Sequence, residues 1–204
     1  IQSEQYLEAQ KLVHQIKVSN IILGEELQGD LYRAQNNFTA AIETYQALWQ
    51  KNATNEIANK IYPLLNTGNN KNAQSFLSEW LNKIPNSTDA LNYQANEYLI
   101  AEDYKKAVVI LEQIDRQQPN SAINLNNLAW CYQQLDHPAA LETAKRAYEL
   151  APDHASIVDT YGWILFVNKK FNESAEILQQ AEKLDPNNPI IAAHLKDAQT
   201  ASVQ

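Results

Sequence analysis

The sequence is short of the residues that cross-link a chain or break it locally. It has one cysteine, four glycines, seven prolines and no methionine in 204 residues. A lone cysteine excludes an intramolecular disulfide framework and a structural zinc site built on several thiolates. Scarce glycine and proline, beside 45% hydrophobic and 20% charged residues, exclude a collagen-like or disordered chain and point to a packed core. Long apolar runs are missing too. The longest, such as Trp163–Val167, are too short to form a transmembrane helix. Cations are outnumbered, 16 Lys and Arg against 24 Asp and Glu, and the net charge of −8 argues against nucleic acid as a partner. Amides are plentiful instead, 22 Asn and 19 Gln. They supply much of the polar surface, which argues against thermophile-type ion-pair networks. Because the chain starts at Ile1 and has no Met, it is expected to be a trimmed or processed piece, with any targeting signal upstream.

Four prolines set a ruler: Pro85, Pro119, Pro152 and Pro186 are 34, 33 and 34 residues apart. A near-constant period of that size marks a repeat array. Ahead of each proline the same frame returns: Ala73, Leu77 and Trp80; Ala107, Leu111 and Ile114; Ala140, Ala144 and Ala147; Ser174, Leu178 and Ala181. Spacings of four and three put each trio on one helical face. The other half of each unit has a second frame. Leu125, Leu128, Ala129 and Tyr132 return as Val158, Tyr161, Gly162 and Leu165, and Leu91, Ala95 and Tyr98 fill it earlier. Ala95, Ala129 or Gly162 is the small member that lets two helix backbones approach. Each unit is therefore a helix, a short turn and a second helix, and only stacking with neighbours buries its stripes.

This frame resembles the tetratricopeptide repeat (TPR), whose signature is W-x2-L-G-x2-Y, A-x3-F and P. Gly29, Tyr32, Ala41, Tyr45 and Leu48 give a further unit, with Ala53 in place of the proline. The expected architecture is all-α, an α-α superhelix (TPR solenoid) of five to six helix-turn-helix units, with about twelve helices and no β-sheet. The units are a partial repeat at 1–20, repeats at 21–53, 54–86, 87–120, 121–153 and 154–187, and a closing helix at 188–204. Unit 54–86 is the least regular: Ile61 stands where a small residue belongs, and Pro63 is expected to kink or shorten its first helix. Asn188 is placed as N-cap of the closing helix with Pro189 as its first residue. Turns carry Asn36-Asn37, Gly68-Asn69, Asp103 and Asn168, and left-handed Asn is offered as the reason for so little glycine.

A closer likeness lies in Asn126-Asn127-Leu128-Ala129-Trp130, Ala147-Tyr148-Glu149-Leu150-Ala151-Pro152 and Asp159-Thr160-Tyr161-Gly162-Trp163-Ile164-Leu165, followed by His194-Leu195. These strings, with Leu27-Gln28-Gly29-Asp30-Leu31-Tyr32 upstream, resemble the C-terminal part of the bacterial TPR-repeat lipoproteins that accompany PEP-CTERM/exosortase and exopolysaccharide systems. The resemblance implies an exported scaffold, periplasmic or anchored at the outer membrane. Its lipid-bearing cysteine would lie outside this sequence, since Cys131 falls mid-helix. A cytoplasmic location is the alternative.

By the TPR resemblance, first helices face a concave groove in which family members bind extended peptides. Residues just outside the buried frame should line it: Asn92 and Asn96, then Asn126, Asn127 and Trp130, then Asp159, Thr160, Trp163 and Phe166, with His194 on the closing helix. Asn126 and Trp130, like Asp159 and Trp163, are four apart and share a helical face. Trp130 and Trp163, one period apart, are expected to be neighbours. Amides offer donor and acceptor to a peptide backbone, and indoles supply contact area. The competing view makes both indoles core wedges and the amides caps. Asn127 lies near the Asn of peptide-clamping TPR domains, but the matching basic residues are not evident, so terminal-carboxylate capture is not expected. Trp49 and Trp80 read as core, Cys131 as a small buried hydrophobe, and Glu25-Glu26 and Glu142/Arg146 as solvated surface. The four scattered histidines give no metal site, and no catalytic constellation or cofactor motif is present.

The leading expectation is a non-enzymatic scaffold binding a peptide or partner domain. By resemblance it would serve export or assembly of exopolysaccharide and surface proteins. A glycan-binding module, with Asn and Trp contacting sugar, and a structural spacer or self-association array are the alternatives.

Overall fold

The computed structural model describes residues 2–67 and 71–202; the expected turn at Gly68-Asn69 lies outside the described residues. Twelve helices and no strand occur among the described residues. They are α1 (Gln2–Ser19), α2 (Ile21–Ala34), α3 (Phe38–Lys51), α4 (Asn55–Leu65), α5 (Lys71–Lys83) and α6 (Thr88–Ile100). Then come α7 (Tyr104–Gln117), α8 (Ala122–Gln134), α9 (Ala140–Leu150), α10 (Ala155–Val167), α11 (Phe171–Leu184) and α12 (Pro189–Ser202). The fold is an all-α array of helical hairpins. Its contacts divide the chain into two compact units, residues 1–90 and 91–204.

In the first unit α1 packs on α2, α2 on α3, α3 on α4 and α4 on α5. Ala41, Tyr45 and Leu48 of α3 and Ala73, Leu77 and Trp80 of α5 are buried, and so are Trp49 and Phe76 beside them. Pro63 sits in the last turn of α4, which has eleven residues where α2 and α3 have fourteen. A proline removes one helical donor and crowds the preceding turn, so the helix ends early. Ile61 and Tyr62 fill the space that a small residue leaves open elsewhere, and both are buried.

In the second unit each helix from α7 to α12 packs on the next, and α10 also touches α8 and α12. Ala107, Leu111 and Ile114, then Ala140, Ala144 and Ala147, then Ser174, Leu178 and Ala181 are all buried, as are Leu125, Leu128, Ala129, Val158 and Leu165 of the facing helices. Tyr98 and Tyr161 are half-buried. Ser174 keeps its place in this apolar frame by donating to the carbonyl oxygen of Gly162 at 2.7 Å. A Cβ at Gly162 would lie 2.6 Å from Leu178 Cγ, so α10 and α11 are closer than any side chain there allows. Gly162→Ala gains helix propensity but forces a buried Leu to move. It is expected to cost about 1–2 kcal/mol net, measurable by urea unfolding followed by circular dichroism.

The amides cap helices. Asn20, Asn37 and Asn188 accept from the first-turn amides of α2, α3 and α12; Thr54, Asp103 and Ser121 do the same for α4, α7 and α8. The left-handed residues are Asn36, Glu102, Asn120, Asp136 and Lys169. Asp103 and Asn168 lie in the expected turns, with the left-handed φ on a chain neighbour of each. A capping Asp103 needs negative φ, so the preceding Glu102 turns left-handed, and Lys169 does so after Asn168 closes α10. Asparagine thus replaces glycine at only two of these five positions.

Candidate interaction face

On the first helix of each hairpin, one turn outside the buried frame, lie the polar and aromatic residues that can meet a partner. Asn92 and Asn96 of α6 are exposed. On α8, Asn126, Asn127 and Trp130 are half-buried, and the carboxamide oxygen of Asn126 is covered with no hydrogen-bond donor on it. Among the described residues Trp130 has neither a ring partner nor a hydrogen bond. Trp130 and Trp163, expected as neighbours, make no ring contact with each other among the described residues.

Trp163 is engaged elsewhere. The His194 ring of α12 stacks on it with centroids 4.2 Å apart and planes inclined by 22°, and Phe166 stacks at 5.0 Å. His194 Nδ1 is 2.9 Å from Asp159 Oδ1, in side chains 18% and 14% exposed. The Asp159–Trp163 pair on α10 therefore holds one imidazole by edge and by face. Phe166 also packs against the cluster of Leu178, Leu195 and Ala198, so it belongs as much to the core as to the face. Thr160 turns its hydroxyl back to the Ser156 carbonyl at 2.9 Å. The structure thus brings Asp159, Trp163, Phe166 and His194 together and leaves the α8 trio beside them on the adjoining helix.

A second cluster, which no sequence motif announces, lies in the first unit. Lys60 of α4 reaches Asp30 at 2.7 Å and Glu26 at 2.8 Å, both on α2, and the Tyr45 hydroxyl donates to Asp30 at 2.6 Å. Burial alone would raise the Asp30 carboxyl, yet its bonds from Lys60 and Tyr45 hold it below the ordinary value. Burial likewise opposes the Lys60 charge, and Asp30 and Glu26 outweigh it and raise its pKa. The signal available in the sequence was opposite charge on successive first helices about one period apart. Glu25 is also paired, with Lys17 at 3.7 Å and Lys51 at 3.1 Å. Glu25 and Glu26, 15% and 18% exposed, are therefore members of an ion-pair network rather than solvated surface. Neither composition nor a single pair of letters shows such a network, because its partners come from three other helices. Arg146 turns to Asp115 at 4.0 Å, not to Glu142.

Cys131 is buried, and burial raises its thiol to about 11, which keeps it a thiol. No helix among the described residues is long and apolar enough to cross a membrane.

Models of the tetratricopeptide repeat match residues 27–54 and 132–189. Hsp70-Hsp90 organizing protein 3 of Arabidopsis thaliana is 25% identical over 157 residues, 76% of this chain and 27% of that protein. The Hsp70-Hsp90 organizing protein of Triticum aestivum is 29% identical over 105 residues, 51% of this chain and 18% of that one. The chain thus spans well under a third of the curated relatives it matches. Among solved structures, the first TPR of Spaghetti (RPAP3) bound to HSP90 peptide SRMEEVD has a TM-score of 0.54 at 19% identity, over 57% of this chain and 94% of that one. A double mutant of MamA has 0.67 at 17% identity, over 87% and 95%. The Cut9-Hcn1 hetero-tetramer has 0.68 at 15% identity, over 96% and 40%. Periodic prolines, a buried frame that recurs with them, paired helices and these matches agree: residues 27–54 and 132–189 carry tetratricopeptide repeats, and the chain folds as an all-α array of that type.

Proposed function

We propose that this chain is a protein-interaction scaffold, not an enzyme, which holds an extended segment of a partner in a groove lined by its first helices. The observation that carries the reading is the set of half-buried amides and indoles Asn126, Asn127, Trp130 and Trp163 on α8 and α10, outside the recurring buried frame. Large rigid rings beside amide groups give contact area at low entropic cost and satisfy a peptide backbone. That one structural neighbour holds an HSP90 peptide supports the same use of the fold. The strings at 126–130, 147–152 and 159–165 support placing this scaffold in export or assembly of exopolysaccharide and surface proteins, on the periplasmic side of a bacterial envelope.

Trp163→Ala is expected to weaken partner binding by more than about 1 kcal/mol, about fivefold, while far-UV circular dichroism stays helical. The assay is indole fluorescence against panels of extended peptides and of oligosaccharides. A saturable peptide response that Trp163→Ala leaves unchanged would remove Trp163 from the groove. A response to sugars alone would move the protein to the glycan-binding class.

A further inference from the structure

His194 shows what the first-helix face is built to hold. It presents a flat ring with a nitrogen at its edge, and the face answers with two residues four apart on one helix. Trp163 takes the ring face at 4.2 Å, and Asp159 takes the nitrogen at 2.9 Å. The first unit solves the same problem with other residues. Glu26 and Asp30, also four apart, take the Lys60 ammonium, which lies 5.8 Å from the centroid of the Tyr45 ring. In both places a nitrogen group from the following first helix fills a position made of an oxygen acceptor and an aromatic ring.

One period before Asp159 and Trp163 stand Asn126 and Trp130, in the same register on α8. Among the described residues no side chain donates to or stacks on this third position: the Asn126 oxygen, though covered, has no donor, and Trp130 has no ring or hydrogen-bond partner. The residues of α10 that correspond to His194 are Thr160, whose hydroxyl is turned back to Ser156, and Tyr161, whose ring is stacked on Tyr148 at 5.1 Å.

Charge selects the occupant. Helix α8 has no charged residue, and α10 has one, Asp159. The lysines and arginines of residues 91–202 lie on α7, α9, α11 and the turn at Lys169-Lys170, with the single exception of Lys196 on α12. Lys196 is two residues beyond His194, about 200° around the helix. An acidic side chain or a terminal carboxylate would find no counter-charge on this face. A planar cation would find an indole face, an amide oxygen and no repulsion. Arginine fits best, because its guanidinium stacks on aromatic rings and donates in its own plane.

We infer that Asn126 and Trp130 form a docking position for an arginine side chain of the extended partner segment, copying the way His194 occupies Asp159 and Trp163. The inference rests on the groove reading above and names the residue that the groove selects. The Asn126 oxygen is covered, so its amide turns about the soft χ2 torsion to meet the guanidinium. This preference is opposite to that of the neighbour that holds SRMEEVD, a peptide ending in three acids and one valine.

The test is display selection of random 12-residue peptides on the purified chain, followed by titration of the recovered peptides. Enrichment of arginine is expected. Affinity should fall tenfold or more on Trp130→Ala, and also when the peptide arginine is changed to glutamate. Asn126→Asp, which recreates the Asp159–Trp163 pair, should tighten binding several-fold; this gain keeps the test sound if Trp130→Ala fails to fold. Acidic or neutral peptides that bind equally to both variants would overturn the arginine position and leave the groove reading standing. A selection that yields no sequence above background on the folded chain would overturn the groove reading, and this position with it.

Discussion

Trp49→Ala is expected to destabilise residues 1–90 by about 3–5 kcal/mol, the largest effect of any substitution discussed. Trp49 is fully buried and meets Phe76 edge-on with centroids 5.4 Å apart. Its Nε1 donates to Glu79 at 2.8 Å, tying α3 to α5. Truncation leaves a void the size of an indole between two helices and removes that bond. Trp49→Phe keeps most of the packing and should cost only the bond and part of the ring, about 1–2 kcal/mol. Urea unfolding of the three proteins by circular dichroism separates the two contributions. A loss below about 1 kcal/mol for Trp49→Ala would show that α3 and α5 close over the void.

Asp30→Ala should cost about 2–3 kcal/mol at neutral pH, because it strands a fully buried tyrosine. The Tyr45 ring is inaccessible, and Asp30 is the acceptor of its hydroxyl, while Lys60 retains Glu26. The pH dependence follows from the two shifts. The folded Asp30 carboxyl titrates below its ordinary 3.8, so its stabilisation is present above about pH 4 and is lost as pH falls through the lower folded value. Lys60 titrates above its ordinary 10.5, so its share is present below that pH and is lost as pH rises through the higher folded value. The gap between native and Asp30→Ala should therefore be widest across the neutral plateau and should close in strong acid. A gap that is flat down to pH 2 would mean that the carboxylate charge contributes nothing.

These positions differ in how far the letters alone announced them. The proline ruler and the returning trios announced a repeated helical hairpin, because a solenoid repeats one local solution and each copy states it again. The pairs Asp159/Trp163 and Asn126/Trp130 were legible as faces, since residues four apart on a helix must be neighbours. Their contents were not. Whether an indole is free or covered depends on the side chain that the next first helix delivers, and one turn of register decides it. The two tryptophans differ for that reason: α12 sends His194 onto Trp163, while α10 sends no ring to Trp130. Which turn residue is left-handed was not legible either, because the capping bond fixes which of two neighbours keeps negative φ.

The hairpin, its period and its buried stripe are thus written in the order of residues, since they follow from contacts within one repeat and between like positions. Which polar groups are paired depends instead on how separate helices pack. A pairing such as Lys60 with Asp30 and Glu26, or His194 with Asp159, joins residues 30 to 35 positions apart on separate helices. Their distance is set by how closely the intervening helices stack, and that closeness comes from small residues such as Gly162, whose missing side chain carries no charge pattern to read.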